Sequence, residues 1–314
     1  MVTLSAADVR AGLPWPLLIE ALRQGFIEGA EQPERQHLDV GAPNIAGNLL
    51  IMPAWTAGGH IGVKLVTVFP GNSSLSLPAV ASVYTLFDGK TGAVVAQIDG
   101  GELTARRTAA ASVLAASFLA RKESRTLLVL GTGRISRNLA EAYCAAFNIE
   151  RVRFWDRSFQ KADNVAAELA GLAPCVEATA GIAAALADTD IVTSATLARD
   201  PILFGRDIRP GTHIDLVGGF RPDMREADDD AIAMAHEVFV DTFAGAVKEA
   251  GDIAIPLASG VLQRHAIAAD LALLCRKGHP GRTDPSAVTL FKSVGAALED
   301  LAAARALCRP AALP

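Results

Sequence analysis

The run Leu127-Leu128-Val129-Leu130-Gly131-Thr132-Gly133-Arg134-Ile135-Ser136 constrains this chain more than any other stretch. Four consecutive apolar residues predict a buried parallel strand. The glycines then predict a tight turn that opens onto a helix starting near Arg134. Gly131 permits the turn, and Gly133 lets the backbone approach a ligand closely. Free N–H groups at the helix start favour a pyrophosphate. Ser136 takes the place of the third glycine of a dinucleotide fingerprint and is small enough for close helix–strand packing. A strand before and a helix after give the G-x-G-x-x-[small] string its meaning. The run begins only after 126 residues, so whatever meets a dinucleotide is largely built first.

A chain of 314 residues exceeds one ordinary compact core and predicts two domains. Net charge is −5 with no polybasic run, which argues against nucleic acid or an anionic membrane as partner. The start, Met1-Val2-Thr3-Leu4-Ser5, lacks the basic-then-apolar pattern of a signal peptide. The apolar stretch Thr108–Ala120 is too short to span a bilayer. Cys144, Cys175, Cys275 and Cys308 have no metal-ligand or redox spacing. A cytoplasmic protein without a metal is expected.

Residues 4–30 predict two helices separated by Gly12-Leu13-Pro14, the first capped by Ser5. Strands are expected at 47–52, 61–69 and 80–87, with Pro53 and Pro70 as breakers. Asp88-Gly89-Lys90-Thr91-Gly92 predicts a hairpin turn to a strand at 93–98. Gly100-Gly101 should end this sheet, and a helix should run from Thr104 to about Leu119. A β-α-β period follows, with strands at 127–130, 151–155, 175–177, 191–194, 213–217 and 238–240. The segment 285–307 reads as one long amphipathic helix. The expected fold is α/β: a Rossmann doubly wound parallel sheet (121–284) inserted in a discontinuous α+β domain (1–120 with 285–314).

Asp156 stands 25 residues after Gly131, where a carboxylate grips the ribose hydroxyls of NAD. Arg157 and Ser158 follow at once, and an arginine there accommodates a 2′-phosphate, so NADH and NADPH both remain open. Arg106 and Arg107 fall in the first turn of the expected Thr104 helix. Cations are unfavourable there, which points to a bound anion or to a pair reaching solvent and Glu102. Lys64 is the single charge in the apolar strand Ile61–Val66. It is either a surface lysine or a pocket lysine that binds a carboxylate and exchanges a proton, and Arg35 could join it. His213 either faces the dinucleotide cleft or sits in the core, and His37 and His60 carry no specific signal. No Ser-His-Asp or zinc spacing is present.

Six strings, taken together, resemble the ornithine cyclodeaminase/mu-crystallin family. They are Gly62-Val63-Lys64-Leu65-Val66-Thr67, Glu102-Leu103-Thr104-Ala105-Arg106-Arg107-Thr108-Ala109-Ala110, Leu130-Gly131-Thr132-Gly133, Pro201-Ile202-Leu203-Phe204-Gly205, Arg221-Pro222-Asp223-Met224-Arg225-Glu226 and Phe291-Lys292-Ser293-Val294-Gly295. The resemblance implies a homodimer whose substrate and dimerisation domain is made from both chain ends. It implies a pocket where Arg35, Lys64 and Arg107 bind a substrate carboxylate, with Lys64 also catalytic. It further implies NADH or NADPH held by Arg107, Thr108, Gly131, Thr132, Gly133, Arg134, Ile135, Asp156, Arg157, Ser158, Thr196, Val217 and Ser293.

Two departures point to a branch of this family. Cyclodeaminases and the related alanine dehydrogenases carry an aspartate after the Gly-Gly matching Gly218-Gly219, where this chain has Phe220. Cyclodeaminases also carry a glutamate in the early strand, where this chain has Leu50. Without these carboxylates the sequence is similar to the Δ1-pyrroline-2-carboxylate reductases, which are ketimine reductases. The expected substrate is a small cyclic imino acid, Δ1-pyrroline-2-carboxylate giving L-proline, with Δ1-piperideine-2-carboxylate giving L-pipecolate close behind. Asp223 is a further candidate partner for the iminium nitrogen. The alternatives are ornithine cyclodeaminase and a non-enzymatic NADPH-dependent binder.

Overall fold

The computed structural model describes residues 1–43, 45–75 and 77–309. The chain divides into two compact units, 1–107 with 296–314 and 108–295. In the first lie β1 (Val2–Leu4), α1 (Ala6–Gly12), α2 (Trp15–Glu28), β2 (Gln36–Asp39), β3 (Asn48–Trp55), β4 (His60–Val68), β5 (Val80–Asp88) and β6 (Val94–Asp99). The helix α3 (Gly100–Leu119) follows. Next come β7 (Thr126–Leu130), α4 (Arg134–Ala146), β8 (Arg151–Trp155), α5 (Phe159–Glu168), β9 (Cys175–Ala178), α6 (Ile182–Leu186), β10 (Ile191–Ser194) and β11 (His213–Leu216). After them come α7 (Asp229–Met234), β12 (Glu237–Val240), α8 (Phe243–Glu249), α9 (Gly251–Ser259), β13 (Ile267–Asp270), α10 (Leu271–Cys275), β14 (Thr289–Lys292) and α11 (Ala297–Leu307).

The first unit is a six-stranded sheet in the order β1-β6-β5-β4-β3-β2, antiparallel except for the parallel β1–β6 pair. Ser5 begins α1 with a full capping box, closed by Asp8. Asp88 accepts from the amides of Lys90 and Thr91 and so builds the expected hairpin turn. Pro53 does not break β3. The partner strand β2 stops at the Gln36–Ile51 pair, so proline falls where that side of β3 lacks a continuous ladder. The sheet face carrying Lys64 and Tyr84 packs under α11. The other face has no covering element among the described residues of this unit and carries the half-buried or exposed Ile51, Pro53, Val63, Leu65 and Val83.

The second unit is an eight-stranded all-parallel sheet, β13-β12-β14-β11-β10-β7-β8-β9. Its order reverses beside β7, as a doubly wound sheet requires, and the β7 run is fully buried as expected. Among the described residues no helix is long and apolar enough to cross a membrane.

Three expectations change. The segment 285–307 is not one helix: Thr289–Lys292 forms β14, at the centre of the parallel sheet, and only Ala297–Leu307 is helical. A short apolar run fits a buried strand and a buried helix equally well, and pairing with β11 and β12 decides the matter. The expected boundaries at 120/121 and 284/285 both lie inside the second unit, which runs from 108 to 295. Finally, α3 starts at Gly100, because the Asp99 carboxylate accepts from the Glu102 amide at 2.7 Å and caps it. Arg106 and Arg107 consequently lie beyond its first turn, and the unfavourable-dipole reasoning does not apply to them.

Candidate active site

In the first unit, β4 alternates so that Gly62, Lys64 and Val66 share the face under α11. Lys64 is 2% exposed. Its Nζ donates to Asp300 Oδ2 at 2.6 Å and reaches Thr104 Oγ1 at 3.4 Å. Arg107 Nε donates to the other oxygen of Asp300 at 3.0 Å, and its Nη1 donates to Glu299 at 2.7 Å. One fully buried carboxylate thus braces both cations. Lys64 is pushed down to about 8: desolvation is the main cause, Asp300 opposes it, and Arg107 and Arg35 add to the fall. Burial opposes ionisation of Asp300, but Arg107 and Lys64 outweigh it and hold the carboxyl below its usual range. Burial likewise opposes the Arg107 charge, and Asp300 and Glu299 outweigh it and raise the guanidinium.

Asp300 thus holds the ammonium of Lys64 and the guanidinium of Arg107 side by side, and Arg35 lies near enough to act on the Lys64 charge. Leu50 pairs with Val66 on the same face as Lys64, so that stretch of wall is apolar. Tyr84, the cross-strand partner of Lys64, lays its hydroxyl against Gly62, where an added Cβ would come within 1.7 Å.

Arg106 and Arg107 part company. Arg106 stacks over Trp15 at 3.9 Å and donates to the Leu13 carbonyl at 2.8 Å. It is a structural bracket, and Glu102 pairs with Arg10 instead. Glu299 and Asp300 escaped the sequence reading. Their one signal is an acidic pair in the otherwise apolar stretch Ala296–Ala304 of α11, where both side chains are buried.

In the second unit, Gly131 has φ +108°, and a Cβ there would meet Ser136 Oγ at 2.9 Å and Ala195 O at 3.0 Å. Gly133 is the N-cap of α4, with no side-chain cap, and a Cβ there would meet nothing within 4 Å. No side chain therefore caps the first amides of α4, which begin with Arg134 and Ile135. Thr132 Oγ1 donates to Asp156 Oδ2 at 2.8 Å, and the Ser158 amide donates to Oδ1 at 3.0 Å. A cleft lined by Gly131, Thr132, Gly133, Asp156, Arg157 and Thr196 runs along these strand ends. The Val217 amide donates to Ser194 O, and that of Ser293 to Leu216 O. The Ser293 hydroxyl is buried with no hydrogen-bond partner. Thr108 is buried within α3. An uncapped helix start, a glycine with room above it and an orphaned buried hydroxyl fit a dinucleotide.

The other candidates are not among the residues that line this cleft. His213 starts β11, at the strand end opposite Gly218, and its Nδ1 pairs with Thr289 Oγ1 at 3.0 Å. Burial, aided by Arg282, holds it neutral with its pKa down to about 3. Asp223 is gripped by Arg221 at 2.9 and 3.2 Å. His37 is exposed on β2, and His60 is half-buried at the start of β4. Phe220 is 46% exposed beyond β11. No His, Cys, Asp or Glu cluster among the described residues could hold a metal.

Residues 2–311 match the profile of the ornithine cyclodeaminase/mu-crystallin family. The chain is 39% identical over 307 residues to a Δ1-pyrroline-2-carboxylate reductase of Paracoccus denitrificans, covering 98% of this chain and 96% of that protein. The structure of Thermococcus litoralis Δ1-pyrroline-2-carboxylate reductase in complex with NADH and L-proline superposes with a TM-score of 0.91. It is 34% identical, with 98% of this chain and 96% of that one covered. An archaeal alanine dehydrogenase dimer with bound NAD matches at TM-score 0.89 and 26% identity, over 98% of this chain and 94% of that one.

Proposed function

Because the chain belongs to the ornithine cyclodeaminase/mu-crystallin family, we propose that it reduces Δ1-pyrroline-2-carboxylate to L-proline with NADH or NADPH, and Δ1-piperideine-2-carboxylate to L-pipecolate by the same chemistry. The observation that carries this reading is the buried Lys64–Asp300–Arg107–Glu299 set, which holds a lysine and an arginine side by side in fixed positions. A carboxylate is the substrate group that such a set suits. The relatives named for this reaction, one of them holding NADH and L-proline, support the choice of ring and cofactor.

Lys64, Arg107 and Arg35 bind the carboxylate and fix the orientation of the ring. The bracing by Asp300 means that little side-chain freedom remains to be lost on binding. When bound, the reduced nicotinamide supplies a hydride to C2 of the ring. The ring nitrogen keeps its proton, so one imine, one hydride and one proton give the amino acid. Lys64, with its pKa pushed down to about 8, holds a proton that it can return to solvent or to the ring. Thr132 and Asp156 hold the adenosine ribose, the open start of α4 takes the pyrophosphate, and Ser293 offers its hydroxyl to the carboxamide. Leu50 and Phe220 leave no carboxylate to manage a free ammonium group, which favours a reductase over a cyclodeaminase.

The bare apolar face of the six-stranded sheet supports a homodimer in which a second copy covers Leu65 and Val83. The archaeal alanine dehydrogenase, described as a dimer, supports the same arrangement. Four free thiols and a reduced nicotinamide cofactor support a cytoplasmic setting. Purified protein given each substrate tests the function. Nicotinamide absorbance falls with the cyclic imine, and ornithine releases no ammonia; the reverse pattern establishes the cyclodeaminase, and cofactor binding without turnover establishes the binder.

A further inference from the structure

Among the charged side chains fully buried in the second unit, Glu226, Asp252 and Lys292 stand together and have no place in the chemistry above. Buried charges are retained only where geometry and hydrogen bonds offset their desolvation. Here they form one connected chain. Lys292, the last residue of β14, donates to the Gly218 carbonyl and pairs with Asp252 Oδ2 at 3.1 Å. The other Asp252 oxygen accepts from the amides of Glu226 and Ala227 at 2.8 and 3.0 Å. Glu226 Oε1 accepts from Ser194 Oγ, the Thr196 amide and Thr196 Oγ1 at 2.6, 2.8 and 2.7 Å. The chain therefore ties the C-terminal ends of β10, β11 and β14 to the start of α9.

The glycines at the end of β11 are shaped by these charges. A Cβ on Gly218 would lie 2.5 Å from Glu226 Oε1 and 2.3 Å from Thr196 O. Gly219 has φ +60°, and a Cβ there would lie 2.6 Å from Asp252 Oδ2. Only bare backbone lets the turn close over the ion set. The sheet order fixes which part of a dinucleotide lies here. Asp156 follows β8, and the pyrophosphate turn follows β7. Beyond β7, on the side away from β8, come β10, β11 and β14, the strand ends left for the nicotinamide half.

We infer that Glu226, Asp252 and Lys292 are positioning residues that set the backbone at Thr196, Val217–Gly219 and Ser293 for the nicotinamide half of the cofactor. The inference rests on the cofactor reading above. Glu226 Oε2 has no hydrogen-bond partner and is buried. Burial raises this carboxyl, and the nearby Asp252 charge adds to the rise against the pull of Lys292. Glu226→Gln keeps the Oε1 acceptor that Ser194 and Thr196 bond, whereas Glu226→Leu removes it.

Calorimetric titration with NADH and with ADP-ribose, which lacks the nicotinamide ring, tests the inference without turnover. Lys292→Met weakens NADH by about tenfold or more and leaves ADP-ribose within about twofold. Asp252→Asn, which keeps the acceptor for the Glu226 amide, shows the same selective loss at about threefold or more and decides the matter if Lys292→Met does not fold. Glu226→Gln retains NADH affinity where Glu226→Leu loses it. Equal weakening of both ligands, unchanged NADH affinity, or loss in Glu226→Gln as large as in Glu226→Leu overturns the inference. A parent protein that binds neither ligand overturns the cofactor reading itself.

Discussion

Asp300→Asn is the perturbation that bears most directly on how Lys64 and Arg107 work. The parent carboxylate touches Lys64 Nζ at 2.6 Å and Arg107 Nε at 3.0 Å, with no solvent on either contact. The amide keeps the shape, removes the charge, and turns one N–H group toward a cation. An opposite charge at this range holds a buried cation up by roughly one to three pH units, so Lys64 falls from about 8 to roughly 5–7 in the variant. At pH 7 the parent then keeps about nine-tenths of Lys64 charged, and the variant about half or less. A charge-assisted hydrogen bond lost from the ligand carboxylate weakens binding by about tenfold to a hundredfold.

The assay is the inhibition constant of pyrrole-2-carboxylate against pH, at saturating cofactor. This ligand keeps its carboxylate ionised across the range, and its ring does not titrate there. Lys64 is charged below its pKa, so parent affinity is level to about pH 7 and falls as pH rises through about 8. In the variant that fall moves to lower pH, and affinity recovers only toward about pH 5. Thermal unfolding of the same samples separates a lost fold from a lost charge. A parent profile flat through pH 8, or a variant that breaks at the parent's pH, refutes the role given to the Asp300 brace.

Three further outcomes follow from other parts of the structure. Burial raises the Asp215 carboxyl from 3.8 to about 6, against the hydroxyls of Thr193, Ser112 and Tyr143 that bond it. Its folded state holds the proton more tightly than the unfolded chain, so stability from this group is full below about pH 4 and is lost as pH rises through about 6. Asp215→Asn therefore unfolds at higher temperature than the parent above pH 6, by up to roughly 3 kcal/mol, and the difference vanishes near pH 4. Gly133→Val costs the unliganded fold no more than about 1 kcal/mol, since a Cβ there meets nothing, yet weakens NADH by about tenfold or more in calorimetry. Leu65→Lys with Val83→Lys puts like charges on a cross-strand pair of the bare sheet face, and light scattering is expected to report a dimer for the parent and a monomer for this variant.

The parallel sheet is legible in the sequence because its first half repeats an apolar run, a turn and an amphipathic helix at short range. Leu127–Leu130 with Gly131 specifies its own surroundings. The strand Thr289–Lys292 does not, because its identity depends on partners more than fifty residues away and a four-residue segment has no period of its own. Asp99 hides the true start of α3, since glycines usually end elements, and here two of them lie inside a capped first turn. Lys64 stands out as the single charge in an apolar strand, and Arg107 as one of two adjacent cations at an expected helix start. Asp300, which binds them both, is 236 residues from Lys64 in the chain, and nothing local announces the pairing. Arg106 and Arg107 look equivalent in a string, yet they project in different directions from the helix. One meets Trp15 and Leu13, and the other meets Glu299 and Asp300.

Isotope tracing of the hydride tests the proposed function most directly. The protein is given Δ1-pyrroline-2-carboxylate with NADH carrying deuterium at C4 of the nicotinamide, in separate runs for each face, and the product is analysed by mass and by chirality. The account predicts L-proline with one deuterium on its α carbon from one labelled face and none from the other. Unlabelled proline from both faces, or no proline while the cofactor stays bound, contradicts it.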